Sequence, residues 1–287
     1  MAVTSTVLDG VLCLLLVSAA VVTVATATPN ESVGAGRAPA TASTLATTTA
    51  SVNYTLTPST ETTDVNVPAE ARDFERTAHG TLAELLARAA VGRTTVGNDR
   101  LSYASEGFER AVVGVVRGAV RTNHTQIVVT WRPHPGSSIA GRLVVGDPPP
   151  RGRPVHAATL DASSGLPQTR PAAMRAARTG GRADVAAAIA QRVVDGLFPP
   201  TRTRLAASDS SASALLVRHR YRRAERILGV TRSTTLVDGG VDTGNGRLTA
   251  ALAKRVAHDL RSRNASATSV AETVRVGRVR IVVRTWP

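Results

Sequence analysis

Six histidines, one cysteine and 21 carboxylates are the side chains in this sequence able to hold a metal or move protons, so their spacing decides whether they act together. A metal site built on one element needs ligands about a helical turn apart, as in H-E-x-x-H. His79, His124, His134, His156, His219 and His258 are scattered instead, and no two lie closer than ten residues. His156, inside a predicted strand, reads as a packed or surface imidazole rather than a ligand. Residues 238–246, DGGVDTGNG, set two carboxylates among glycines. They lack the alternating acidic ligands and closing glutamate of a calcium loop, and a helix-connecting turn is expected there. No G-x-S-x-G elbow, S-x-x-K or Walker loop occurs, so nucleophilic and nucleotide chemistry find no signature. The lone Cys13 excludes an intramolecular disulfide framework and any Cys-rich zinc module. On this reading the catalytic, cofactor-binding and metal-binding residues are none, no small-molecule substrate is identified, and the expectation is a protein that is not an enzyme, the alternatives being a secreted enzyme of unknown class released after Ala27 or a basic module that binds anionic surfaces.

Arginine, by contrast, is abundant. Lys254 is the one lysine among 35 basic residues, and the formal net charge is +14. Such a field attracts anionic lipid head groups, acidic protein surfaces or nucleic acid, in each case less strongly as salt rises. The densest cluster is Arg218, Arg220, Arg222, Arg223 and Arg226, with Tyr221 among them. On a helix these arginines spread over much of the surface while Leu215, Leu216, Tyr221, Ile227 and Leu228 compete for the buried side. A solvated helix face, a site for anionic lipid or an acidic partner, and a nucleic-acid contact all fit this pattern. No helix-turn-helix, zinc finger or aromatic RNA-binding motif accompanies it, and nucleic acid is not an expected partner.

Residues 10–28, GVLCLLLVSAAVVTVATAT, run for 19 residues without a charge. About 20 helical residues span the ~30 Å hydrocarbon layer, so the segment is long enough to cross a membrane. Ala25-Thr26-Ala27 has the small-x-small form of a signal cleavage site, whereas MAVTSTVLD lacks the basic stretch that precedes a secretory signal. An uncleaved anchor, a cleaved signal and a buried globular helix therefore stand as the three readings, the first being preferred. Asp9 lies at the rim of the run, where it sits favourably at a helix N-terminus or pairs with a charge on another subunit. Four N-x-Ser/Thr sequons, at Asn30, Asn53, Asn123 and Asn264, all follow the apolar run and are candidate glycosylation sites on an exported body.

Residues 5–24, STVLDGVLCLLLVSAAVVTV, resemble the N-terminal hydrophobic helix of type IV pilin-like proteins of halophilic archaea, in which an acidic residue is the fifth of the mature chain. Counted from Ser5, Asp9 is that residue. WRPHPGSSIAGRLVVGDPPP (131–150), VRHRYRRAERILGV (217–230) and VGRVRIVVRTW (276–286) are similar to an uncharacterised haloarchaeal family of single-pass membrane proteins associated with pilus or type II secretion-like assembly genes. The resemblance implies a cell-membrane protein with its body outside the cytoplasm, membrane lipid and other membrane or pilin-like subunits as partners, and no known catalytic residue.

The elements that would carry these groups follow from periodicity. The expected fold is α+β: an N-terminal transmembrane anchor or signal-like helix (1–28), a flexible Thr/Ser/Ala-rich linker (29–67), and one extracytoplasmic body (68–287) with helices packed on a mostly antiparallel sheet. Within the linker, SVNYTL (51–56) alternates as an edge strand would. Residues 68–90 read as one helix burying Phe74, Ala78, Leu82, Leu85, Leu86 and Ala89, and 106–121 as a second. Strands are expected at 125–131, 139–145 and 155–161, and helices at 183–197, 212–228 and 245–262. Residues 273–286 read as a hairpin or bent strand around Gly277. QIVVTW and RIVVRTW echo each other and suggest paired strands in one sheet.

Overall fold

The computed structural model describes residues 36–56, 75–120, 123–207, 212–230, 240–261 and 265–287. The apolar run 10–28, Asp9, Asn30 and Asn264 lie outside these residues. Helix α1 (Arg37–Thr47) and strand β1 (Thr49–Thr55) are followed by β2 (Glu75–Thr81), α2 (Leu82–Gly92), the short β3 (Thr95–Val96) and β4 (Asp99–Arg100), and α3 (Glu106–Ala119). Next come β5 (Thr125–Trp131), β6 (Ile139–Val145) and β7 (His156–Ser163). Helices α4 (Arg170–Thr179), α5 (Arg182–Leu197), α6 (Pro200–Ala207), α7 (Ala212–Leu228), α8 (Gly240–Arg261) and α9 (Ala267–Glu272) precede β8 (Arg278–Thr285).

Six strands form one sheet in the order β4-β3-β6-β5-β8-β7, every neighbouring pair antiparallel. The two echoing sequences are adjacent: Ile127 faces Val283, Val129 faces Ile281 and Trp131 faces Val279. Because side chains alternate along a strand, these six share one face, and all six are buried. That face carries the helices. Gly141 pairs with Trp131, and a Cβ on it would stand 2.1 Å from the carbonyl oxygen of Ala90, so α2 lies directly on the sheet and only glycine fits beneath it. Helix α1 rests on β7 and β8 through Ala38 and Leu45. Toward β3, Ile139 joins Val193, Leu197, Leu248 and Leu252 of α5 and α8 in the same core. On the opposite face Val128 and Val282 are half-buried and Arg142 and Arg280 exposed. The body is thus an α+β fold with helices on one side of an antiparallel sheet.

Four expectations are corrected. Of the helix predicted over 68–90, residues 75–81 form a strand and helix begins at Leu82, while 68–74, with Phe74, lie outside the described residues. The reason is local: the Thr81 side chain accepts from the Glu84 backbone N–H at 3.2 Å, while the Thr81 N–H donates to Glu84 Oε2 at 2.9 Å. This reciprocal cap fixes the helix start, and 75–81 pairs with β1 from Thr49↔Thr81 to Thr55↔Glu75. The stretch read as a flexible linker holds α1 and β1. Its alanines favour helix, and Ala38 and Leu45 have a sheet to bury against. Among the described residues strand β1 pairs only with β2, in a separate two-stranded sheet, and it docks on α3, where a Cβ at Gly107 would meet the Thr55 carbonyl oxygen at 2.3 Å. Finally, residues 278–285 form one strand between β5 and β7 rather than a hairpin, and α8 starts at Gly240, inside the stretch expected to be a turn.

Candidate functional site

Helix α7 carries the arginine cluster and buries Ala214, Tyr221, Ala224 and Glu225. The five arginines leave the helix in different directions instead of forming one surface. Arg222 and Arg226 are exposed and Arg218 is half-buried. Arg223 crosses to the sheet side, where its Nε donates to the Arg100 carbonyl at 2.6 Å and its guanidinium lies 4.4 Å from the Tyr103 ring centre. Arg220 turns the other way and stacks on Phe198 at 4.9 Å.

Arg100, which receives Arg223, is itself fixed by carboxylates. It pairs with Glu106 at 3.2 Å and closely with Glu109, which also takes Arg93 at 3.0 Å and the Ser105 hydroxyl at 3.0 Å. Burial nevertheless pushes the Glu109 carboxyl above the usual carboxylate range, outweighing the pull of the two guanidiniums.

The surroundings of Arg220 are built by a second polar chain. Tyr221 donates to Asn245 Oδ1 at 2.6 Å, and Asn245 Nδ2 donates to the Phe198 carbonyl at 2.9 Å, tying α7 and α8 to the corner between α5 and α6. The Thr203 hydroxyl also bonds to the phenol, and burial raises the Tyr221 pKa. Substituting Tyr221→Phe removes the donor to a buried amide oxygen, and the expected cost is about 1–3 kcal/mol, read as a lower urea midpoint with unchanged slope.

Between the end of α2, the loop 164–166, the α5–α6 corner and α7 lies a cavity of about 440 Å³. Arg88, Arg202 and Arg220 line it together with Leu166, Phe198 and Val217, and among the described residues no carboxylate lines it. The Arg220 Nε is sealed from solvent and has no hydrogen-bond partner, and burial lowers the pKa of its guanidinium. A cation–π contact returns about 0.5–2 kcal/mol, less than the several kcal/mol that removing a guanidinium from water costs. The arrangement supplies positive charge beside an apolar wall, which suits holding an anion.

A second basic surface was not singled out by sequence reasoning. Arg247, Lys254, His258 and Arg261 are all exposed on α8, opposite the buried Leu248, Leu252, Val256 and Leu260. With Arg255, whose Nε donates to the Ser138 hydroxyl at 3.0 Å, they line a groove of about 700 Å³ against residues 227–230. The signal was available: cations at steps of seven, four and three mark one helical face as clearly as leucines do.

The remaining predicted sites are dispersed. Asn53 is exposed on β1 and its side-chain oxygen accepts from Thr77 at 2.8 Å. Asn123 is exposed before β5, but Thr125 of the same sequon is only 2% exposed. His134 is buried with Nδ1 2.9 Å from the Pro135 carbonyl oxygen, and His156 starts β7 half-buried. Among the described residues no three His, Cys, Asp or Glu side chains gather as a metal site would require, and no helix is long and apolar enough to cross a membrane.

A family model matches residues 8–286, and its description is a family of unknown function (DUF7284). No curated protein and no solved structure matches the chain.

Proposed function

The chain belongs to the DUF7284 family of unknown function, and from that premise we propose that it is a non-enzymatic, membrane-anchored accessory or structural component of an archaeal surface pilus or secretion-like assembly. The match begins at residue 8, so the uncharged run 10–28 belongs to the same family unit as the body. The observation that carries the reading is how closely that run precedes the folded body. Eight residues, 29–36, separate it from α1, which is clamped on β7 and β8. Even fully extended, eight residues reach about 28 Å. A body tethered so tightly rides at the membrane surface, where the basic face of α8 suits anionic head groups.

In this role the run packs against other membrane helices through Gly10, Ser18, Ala19 and Ala20, and Asp9 pairs with a cation of a neighbouring subunit. The full-length chain is expected in the membrane pellet, resistant to alkaline carbonate, with its body cleaved by protease added to intact cells. Asp9→Asn is expected to impair assembly while leaving the melting temperature of the body unchanged. Untrimmed full-length protein in the supernatant after ultracentrifugation would overturn the anchoring, and normal assembly of the Asp9→Asn protein would remove the pairing role.

A further inference from the structure

Positive charge in a protein interior is ordinarily met by a carboxylate, because a guanidinium away from water otherwise loses its hydration with nothing in exchange. Glu109 answers Arg93 and Arg100 in this way. Arg220 breaks the pattern. Its Nε is sealed and without a hydrogen-bond partner, its plane is stacked on Phe198, and the residue keeps its partial exposure on the cavity. Arg202 adds an exposed cation to the same lining; Arg88 also borders it, with its guanidinium 5.4 Å from the Phe108 ring centre and donating to the His79 carbonyl at 3.4 Å, while Leu166, Phe198 and Val217 make the apolar wall. The Tyr221–Asn245–Phe198 hydrogen bonds hold that wall and the arginine in fixed relation. A planar fork with free donors suits a carboxylate or phosphate, and a volume of about 440 Å³ lies within the size range of small-ligand sites.

We infer that this cavity binds a small amphiphilic anion, an oxyanion head held by Arg220 with Arg88 and Arg202 at the mouth, and a short apolar body laid against Phe198, Leu166 and Val217. The inference is independent of where the protein is anchored. The same pairing of cation and apolar wall disfavours a bare inorganic anion, which leaves the wall unused, and an organic cation, which meets three like charges.

Calorimetric titration of the full-length chain in phosphatidylcholine nanodiscs tests this with water-soluble probes: phenyl phosphate, inorganic phosphate and phenyltrimethylammonium. Phenyl phosphate is expected to bind at one site, at least tenfold more tightly than inorganic phosphate, with no binding of the cation. Arg220→Met, which keeps the side chain's apolar length, is expected to weaken phenyl phosphate at least tenfold while the unliganded protein melts at the same or a higher temperature. A purely structural arginine would instead lower the melting temperature and leave no ligand effect to lose. Arg202→Gln, at an exposed position, supplies a second variant that keeps the fold and is expected to weaken binding several-fold. Absence of phenyl phosphate binding, equal binding by inorganic phosphate, or full binding by both variants would overturn the proposal.

Discussion

Trp131→Ala is expected to destabilise the body by about 3–5 kcal/mol, a large part of the total stability of an ordinary domain. Trp131 is fully buried at the end of β5, and its indole N–H donates to the Val276 carbonyl at 2.8 Å. Truncation removes the largest side chain of the core at the place where α2 presses on the sheet, and Gly141 opposite has no side chain to move into the space. It also leaves the Val276 carbonyl, which the Ser164 hydroxyl shares at 2.8 Å, with one donor fewer. Trp131→Phe keeps most of the ring volume and loses the N–H, so its cost is expected to be smaller. Chemical denaturation of both variants checks the order. A loss below about 1 kcal/mol for alanine would mean that the sheet closes over the gap.

Glu109→Ala is the second large effect, expected at about 3 kcal/mol, because it strands a buried guanidinium. The Arg100 side chain is 12% exposed and keeps only the more exposed Glu106 as its acidic partner once Glu109 is gone. Glu109→Gln is expected to cost less, since burial already works against the ionised carboxylate and glutamine keeps the shape and an acceptor. The pH dependence separates these effects. With its folded pKa above the ordinary value, Glu109 binds its proton more tightly in the folded state. Its contribution to stability is therefore fully present below the ordinary carboxylate pKa and is lost as pH rises through the folded pKa. The stability difference between wild type and Glu109→Gln is expected to move against the wild type across that window. A difference independent of pH would show that the two arginines cancel the burial.

Much of the body was legible because its strands are short β-branched runs with clear stops. TQIVVTW ends shortly before Pro133, and IAGRLVV ends at Gly146, whose φ of +84° favours glycine. Helix α7 matches its apolar period from 212 to 228. The errors have physical sources. Thr and Ala without a long apolar stripe read as a stalk, yet two buried positions, Ala38 and Leu45, suffice when a sheet is there to receive them. In 75–81 the acidic start and the apolar step from Ala78 to Leu82 fit a helix as well as a strand, and only the pairing with β1 decides. The candidate site was legible only as a composition. Five arginines on one helix announce charge, but Arg220 and Arg223 are set apart by Phe198 and Tyr103, 22 and 120 residues away, which no local pattern encodes.

Strand β8 occupies an interior place in the sheet, between β5 and β7, and among the described residues β7 pairs with no other strand. Residues 125–131 pair on one edge with β6 close by in the chain, but their other edge waits for a partner some 150 positions downstream, and such distant pairings form late. A chain threaded through a translocation pore from its N-terminal side would carry β5 across with its β8 edge open until the far strand arrives. The hydroxyl of Thr125, closed off in the finished sheet, stays accessible throughout that interval. Were Asn123 to receive a sugar, the transfer would have to precede closure of the sheet over Thr125, which is 2% exposed in the folded body.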